Sequence, residues 1–141
     1  MLDSIEYNLC EMQGELFILS AKAGYDSLDF IKKFMWSKTA IDLDKPFHHM
    51  HWAGEGYIID RVAEEDVPSK GGIIYDYETL FWMGFIYRYW HFYTGESSKE
   101  IYKQANALLM RSVYLMYHTM SPEMAIDRLK ESYREKKSHK L

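Results

Sequence analysis

YDYETLFWMGFIYRYWHFYTG, residues 75–95, is the stretch that decides the fold of this chain. Asp76 suits the N-cap of a helix and Gly95 suits its C-terminal end, so the stretch predicts one helix over about residues 76–94. Apolar and aromatic residues occupy every side of that helix, which is typical of a helix that other helices surround. We therefore predict an all-α fold, a compact bundle of about five to six helices around this central aromatic-rich helix.

The segments before the central helix show the spacing of amphipathic helices. Apolar residues at intervals of three and four predict a helix over about residues 3–23, which Gly24 would end. A second helix is predicted over about residues 26–37. Residues 39–45 are short and polar and precede a proline, so they predict a turn. A third helix is predicted over about residues 47–65, although two glycines weaken it.

The segments after the central helix carry clear start signals. Ser97 with Glu100 fits a capping box, which predicts a helix that continues to about Met116 and could break at Asn106. The order Ser-Pro-Glu at residues 121–123 places a cap, a first-turn proline and a favourable acid in succession. It predicts a last helix over about residues 122–136.

Length and charge indicate one domain with a basic end. A chain of 141 residues with 48% hydrophobic residues can form one core, so we predict a single domain over residues 1–141. The formal net charge is -4, so nucleic acid is not an expected partner. Residues 134–141 hold the one clear basic cluster, and we interpret it as a solvent-exposed tail on a helix end; its basic residues are Arg134, Lys136, Lys137, His139 and Lys140.

The cysteine content and the hydropathy indicate the cellular compartment. Cys10 is the single cysteine, so the chain cannot form an internal disulfide, which favours a reducing compartment. The first residues carry acids in place of a basic leader, and the longest apolar run, residues 80–87, is far shorter than the roughly 18 residues that a membrane helix needs. We therefore expect no membrane association and a cytoplasmic protein.

The aromatic content favours an interaction role. The chain holds 12 Tyr, 7 Phe and 4 Trp with 9 Met, more than one buried helix should need. Residues of these types often lie where a partner covers them. The favoured function is therefore a non-enzymatic interaction module that binds a protein partner or its own copy. Its expected anchors lie in residues 87–93 and 114–120, and no cofactor is expected.

Arg88 lies in the middle of the central helix and needs a partner, because burying a lone guanidinium costs several kcal/mol. One interpretation is an internal ion pair; its candidate partners are Asp44, Glu55, Asp60 and Glu96. The other is a cationic, aromatic-walled pocket for a small anionic ligand, a carboxylate or a phosphate. The candidate ligand- or partner-binding residues are Arg88, Tyr89, His91 and Tyr93.

A metal site is a weaker alternative. His48, His51 and Glu55 lie at i, i+3 and i+7, so on a helix they would share one face and could bind a divalent ion. The same residues could equally be caps and surface polar groups at a helix start. We expect no metal, because the more informative HExxH pattern is missing.

Arg111 and His118 bracket six residues near the end of a predicted helix. This spacing resembles the HEPN ribonucleases, an all-helical family that cleaves RNA without metal by using an Arg, a polar neighbour and a His. Ser112 stands where that family usually has Asn, Asp or His, which departs from the pattern. The alternative places Arg111 on a polar face and His118 at a helix end, where its cation suits the dipole.

Four stretches together resemble a small bacterial family of helical proteins without an assigned activity. They are KAGYDSLDFIKKFM (residues 22–35), HMHWAGEGYIID (49–60), FWMGFIYRYWHFYTGESSKEIYKQA (81–105) and YLMYHTMSPEMAIDRLK (114–130). The likeness covers about residues 15–131. Members of that family are often encoded beside genes of toxin and antitoxin type. The resemblance implies an antitoxin-like or accessory role and assigns no residue a function.

Overall fold

The computed structural model describes residues 2–139, and within them the chain is an all-α bundle, as predicted. No strand occurs among these residues; Tyr25 and Lys70 form one isolated bridge. The described part contains eight α-helices and one 3-10 helix, more than the five to six predicted. They are α1 (Ser4–Lys22), α2 (Ser27–Met35), α3 (Lys38–Asp44), the 3-10 helix (His49–Trp52), α4 (Glu55–Glu65), α5 (Tyr77–Thr94), α6 (Ser98–Gln104), α7 (Ala107–Tyr117) and α8 (Pro122–His139).

The helix α5 is the predicted central helix. Asp76 caps its first turn by accepting from the Thr79 amide, and Gly95 ends it in the left-handed conformation. Its broadest contact is with α1, and it also packs against α6, α7 and α8. Tyr87 and Trp90 are fully buried. The all-round apolar pattern therefore identified the helix that the others cover.

Two glycines let α1 and α5 approach at backbone distance. A Cβ on Gly84 would collide with the carbonyl group of Gln13, whose carbon would lie 2.8 Å away. A Cβ on Gly14 would lie 2.6 Å from the Phe81 ring. The Gln13 side-chain amide also donates to the Gly84 carbonyl oxygen at 3.0 Å. Only glycine permits this separation, so the α1–α5 contact depends on these two positions.

The predicted turn at residues 39–45 is wrong, because Lys38–Asp44 forms α3. Ser37 caps this helix by accepting from the Ala40 amide. The Glu65 carboxylate at the end of α4 accepts from the free amides of Lys38 and Thr39 as well. A carboxylate from a distant segment thus satisfies the first turn of a short helix that is unstable alone.

The predicted helix over residues 47–65 is interrupted. His49–Trp52 forms the 3-10 helix, Gly54 takes a φ of 80°, and α4 begins only at Glu55. Gly54, one of the two glycines that weakened the prediction, therefore lies in the break between two separate helices. The predicted break at Asn106 is confirmed, since Asn106 caps α7 by accepting from the Leu109 amide.

The last helix holds most of the basic cluster. The helix α8 continues to His139, so the basic residues 134–139 lie on its exposed last turns, while Lys140 lies outside the described residues. None of the helices within residues 2–139 has an apolar stretch of the length that a bilayer crossing requires.

Glu96 joins α5, α6 and α8 through its carboxylate. It accepts from the Trp90 indole at 2.9 Å, from the Lys130 ammonium at 2.6 Å and from the Gln104 amide at 2.6 Å. Partial burial raises the pKa of the Glu96 carboxyl, but these hydrogen bonds, led by that from Lys130, outweigh it and hold the pKa at about 2. The ionised form is therefore part of the folded state.

We expect Glu96 to make the fold acid-sensitive. A carboxyl whose pKa is lower in the folded chain stabilises it fully above the unfolded value, 4.5, and loses that contribution as the pH falls toward about 2. Glu96→Gln should therefore remove on the order of 2 kcal/mol of the stability difference between pH 6 and pH 2.5, measured by urea unfolding. Glu64→Gln, on the exposed face of α4, is the control and should leave that difference unchanged.

Candidate functional site

A cleft of about 480 Å³ opens where the start of α1, the end of α3, the 3-10 helix and the C-terminal end of α5 meet. We call it the aromatic cleft. Its lining residues are Asp3, Ile5, Glu6, Leu9, Asp44, Lys45, Pro46, Phe47, His51, Trp52, His91 and Phe92. Three stretches of the chain that are distant in sequence contribute to it, namely residues 3–9, 44–52 and 91–92.

Arg88 lies behind the aromatic cleft and does not line it. Its side chain is 1% exposed, and its Nη1 lies 2.7 Å from the Asp44 Oδ1 while its Nε donates to the Gln13 Oε1 at 2.8 Å. The Ser98 hydroxyl and backbone amide also donate to the Asp44 carboxylate, each at 2.8 Å. Of the two interpretations of Arg88, the structure contains the internal ion pair, and Asp44 is the partner.

The cleft wall presents the Asp44 carboxylate, whereas the pocket interpretation required the Arg88 guanidinium at this place. Its side chain is mostly buried and its oxygens already accept from Arg88 and Ser98. The positive charge of Arg88 is therefore neutralised before it reaches the cleft. A cationic pocket for a small anion around Arg88 does not form.

His91 is the one predicted binding residue that lines the aromatic cleft. Its Nδ1 lies 2.7 Å from the Glu96 carbonyl oxygen and 3.8 Å from the Asp44 Oδ1. Because a carbonyl oxygen only accepts, the Nδ1 must carry the proton of that short hydrogen bond. The Nε2 of the neutral ring is then a hydrogen-bond acceptor.

Tyr89 and Tyr93 face α8, away from the cleft. The Tyr89 hydroxyl donates to the Glu123 carboxylate at 2.7 Å, and burial together with that carboxylate raises the pKa of the phenol. The Tyr93 hydroxyl donates to Asp127 at 3.1 Å. Since Tyr89 and Arg88 are buried, neither offers a surface to a partner, and the predicted anchor segment 87–93 is mainly core.

The two aromatic rings that project from the cleft are Phe47 and Trp52, which are 98% and 74% exposed. Phe47 also has a φ of 59°, a left-handed conformation that is rare for a bulky residue. The sequence did not single out these rings, because its spacing predicted one continuous helix over residues 47–65. The sequence signal that could have identified these rings was the order of Pro46, then two aromatic residues, then Gly54.

The histidine segment does not form the alternative metal site. The His48 Nδ1 accepts from the Met50 amide at 3.1 Å, so His48 caps the 3-10 helix, and the His51 Nε2 lies 3.0 Å from the Leu43 carbonyl oxygen. Glu55 follows the N-cap Gly54 and begins α4. Among residues 2–139, no group of three His, Cys, Asp or Glu side chains is placed to hold a metal ion.

Arg111 on α7 and His118 at its C-terminal cap engage different neighbours. The Arg111 guanidinium lies 5.6 Å from the centre of the Tyr75 ring. The His118 Nδ1 lies 2.7 Å from the Tyr114 carbonyl oxygen, and the His118 ring stacks on the Tyr114 ring with centres 4.4 Å apart. Seven residues of helix separate their backbones by about 10 Å. His118 is the C-cap of α7, as the non-catalytic alternative expects.

The second predicted anchor segment, residues 114–120, is partly exposed. Leu115 and Met116 on α7 project into solvent with 78% and 66% of their surfaces exposed. Leu108, about two turns before Leu115, is exposed as well. The outer face of α7 therefore exposes apolar side chains, and none of them is among the residues that line the aromatic cleft.

Comparisons of the chain with protein-family models, with curated proteins and with solved structures find no match. The likeness to a helical bacterial family therefore stays a resemblance. The chemistry of the aromatic cleft is the remaining guide to function.

Proposed function

We propose that the protein is a non-enzymatic interaction module and that the aromatic cleft is the surface on which it binds a partner protein. The observation that carries this proposal is the conformation of Phe47, a ring held almost fully in solvent at a positive φ. Such a conformation costs on the order of 1–3 kcal/mol and gains no packing in the isolated chain. A partner that covers the ring would bury its apolar surface and so offset this cost.

The surroundings of Phe47 support an interface. Trp52 projects beside the same cleft, and Ile5 on α1 is half exposed at its edge. Trp and Phe are enriched at interfaces, and rings of this kind dominate the binding energy when a partner pocket encloses them. A concave floor beside projecting rings also suits a protruding element of a partner better than a flat surface would.

The state of the charged groups supports a binding role over a catalytic one. Arg88 is neutralised by Asp44, and the Arg111 guanidinium and the His118 ring are each engaged with a separate neighbour. The family resemblance adds a class of partner, namely the product of an adjacent gene. The proposed role is thus antitoxin-like or accessory, exerted by contact.

Trp52→Ala is expected to weaken partner binding by at least about 30-fold, because an anchor ring contributes about 2 kcal/mol or more. The fold should be unaffected within about 0.5 kcal/mol, since the ring is mostly exposed. Coexpression with the products of adjacent genes, followed by titration of the retained complex, measures the change. Trp36→Ala, an exposed tryptophan outside the cleft, is the matched control and should bind as the unsubstituted chain does.

Phe47→Gly separates interface function from folding. Glycine adopts a φ of 59° without the Cβ clash, so unfolding stability should stay level or rise while binding weakens. If the partner is retained equally by both cleft variants, the cleft is not the interface. If no adjacent product is retained by the unsubstituted chain, the proposed class of partner is wrong.

A further inference from the structure

We infer that the aromatic cleft binds its partner through a cationic side chain, a lysine or an arginine with apolar neighbours. This inference rests on the proposed function and adds the chemistry of the residue that enters the cleft. The inferred residue is opposite in charge to the anionic ligand that the pocket interpretation of Arg88 implied. The polar groups on the cleft wall carry the argument.

The carboxylates at the start of α1 supply acceptors. The Asp3 Oδ1 accepts from the Glu6 amide at 2.8 Å, and the Glu6 Oε1 accepts from the Asp3 amide at 3.0 Å. In each carboxylate, one oxygen accepts a capping-box hydrogen bond and the second oxygen takes no part in the box. Both groups are solvent-accessible at the cleft edge, so a donor can reach them without breaking the cap.

The two histidines on the cleft wall supply acceptors as well. His91 donates through its Nδ1 to the Glu96 carbonyl oxygen, and His51 donates through its Nε2 to the Leu43 carbonyl oxygen. In the neutral rings the opposite nitrogens therefore carry lone pairs. Neither ring offers a second donor until it is protonated.

The charged side chains on the cleft wall also favour a cation over an anion. Among the described residues that line the cleft, three carry carboxylates, Asp3, Glu6 and Asp44, and one carries an ammonium group, Lys45. The Lys45 Nζ is already 3.1 Å from the Asp42 Oδ1, and Arg88 balances Asp44 from behind. An anion entering the cleft would meet Asp3 and Glu6, which form no salt bridge within residues 2–139, whereas a cation would pair with them.

The aromatic rings suit a cation with an apolar stem. Trp52 and Phe47 can cover the methylene chain of a lysine or arginine, and their faces attract the charged head at about 0.5–2 kcal/mol. A free small amine would use the same acceptors but would leave the projecting rings uncovered. The exposure of Phe47 and Trp52 therefore favours a peptide segment as the source of the cation.

The four tryptophans provide the test. Titration of the ¹⁵N-labelled full chain with Ac-Leu-Lys-Leu-NH2 should shift the Trp52 indole signal, while the Trp36, Trp82 and Trp90 signals stay in place as internal references. Ac-Leu-Gln-Leu-NH2, which has the same apolar flanks, should bind at least about tenfold more weakly. Butylamine should also bind more weakly than the lysine peptide, because it cannot cover the rings.

Asp3→Asn with Glu6→Gln is the matched double variant, because Asn and Gln retain the capping hydrogen bonds and lose the charges. It should reduce the affinity for the lysine peptide about tenfold at an unchanged melting temperature. Equal binding of the lysine and glutamine peptides overturns the cationic anchor and leaves the proposed function standing. The absence of any Trp52 shift up to ~10 mM lysine peptide overturns it too, and butylamine binding as tightly as the peptide overturns the peptide source.

Discussion

Asp44→Ala is expected to destabilise the protein by about 3–5 kcal/mol, a large fraction of the stability of a domain of this size. The substitution leaves the Arg88 guanidinium buried without a counter-charge, while Gln13 and Ser98 can replace only part of the lost hydrogen bonding. Urea unfolding followed by circular dichroism measures the effect. The midpoint should fall with little change in slope.

Two further variants show whether the buried charge is the cause. Asp44→Leu combined with Arg88→Met removes both members of the pair and should cost much less than Asp44→Ala, because no buried charge remains. Asp60→Ala, at an exposed position that the sequence also offered as a partner of Arg88, should change stability by less than about 0.5 kcal/mol. A double variant as unstable as Asp44→Ala would contradict this account.

Gly84→Ala should cost about 3 kcal/mol or more, because the new methyl group has no space between α5 and α1. It would meet the backbone of Gln13 and Gly14, which cannot move as a side chain can. Separation of the helices would also weaken the hydrogen bond from the Gln13 amide to the Gly84 carbonyl oxygen. Thermal unfolding measures the effect as a lowered melting temperature.

Two other glycines give this prediction its controls. Gly14→Ala should cost less than Gly84→Ala, since its methyl group would meet only the side chain of Phe81. Gly56→Ala should be neutral or stabilising by up to about 1 kcal/mol, because it lies in α4 with nothing within 4 Å of the added atom. Equal losses at Gly84 and Gly56 would show that helix spacing is not the cause.

The sequence predicted those parts of the fold that local chemistry determines. The cap Asp76, the stop Gly95, the capping box at Ser97 and the break at Asn106 all act within one or two turns, and each is where its pattern placed it. The helix α3 was missed because Glu65, more than 20 residues away, completes its first turn. Contacts of that range leave no trace in a local pattern.

The candidate site was predictable only in part, for the same reason. Asp44 was one of four candidate partners of Arg88, and the choice among them depends on where α3 packs. His91 was expected beside a pocket around Arg88, and in the structure its Nδ1 lies 3.8 Å from the Asp44 Oδ1. Phe47 and Trp52 were not foreseen, because the helical spacing of residues 47–65 concealed the break between the 3-10 helix and α4.

The glycine-mediated contact of α1 with α5 also limits how the molecule can respond to a guest. Helices that touch backbone to backbone have no intervening layer of side chains to slide or repack, so they act as a rigid spine. Met50, which lies between the two projecting rings in the sequence, is fully buried as well. A partner that enters the cleft should therefore meet a preformed backbone, and any adjustment should be limited to the exposed side chains of Phe47 and Trp52.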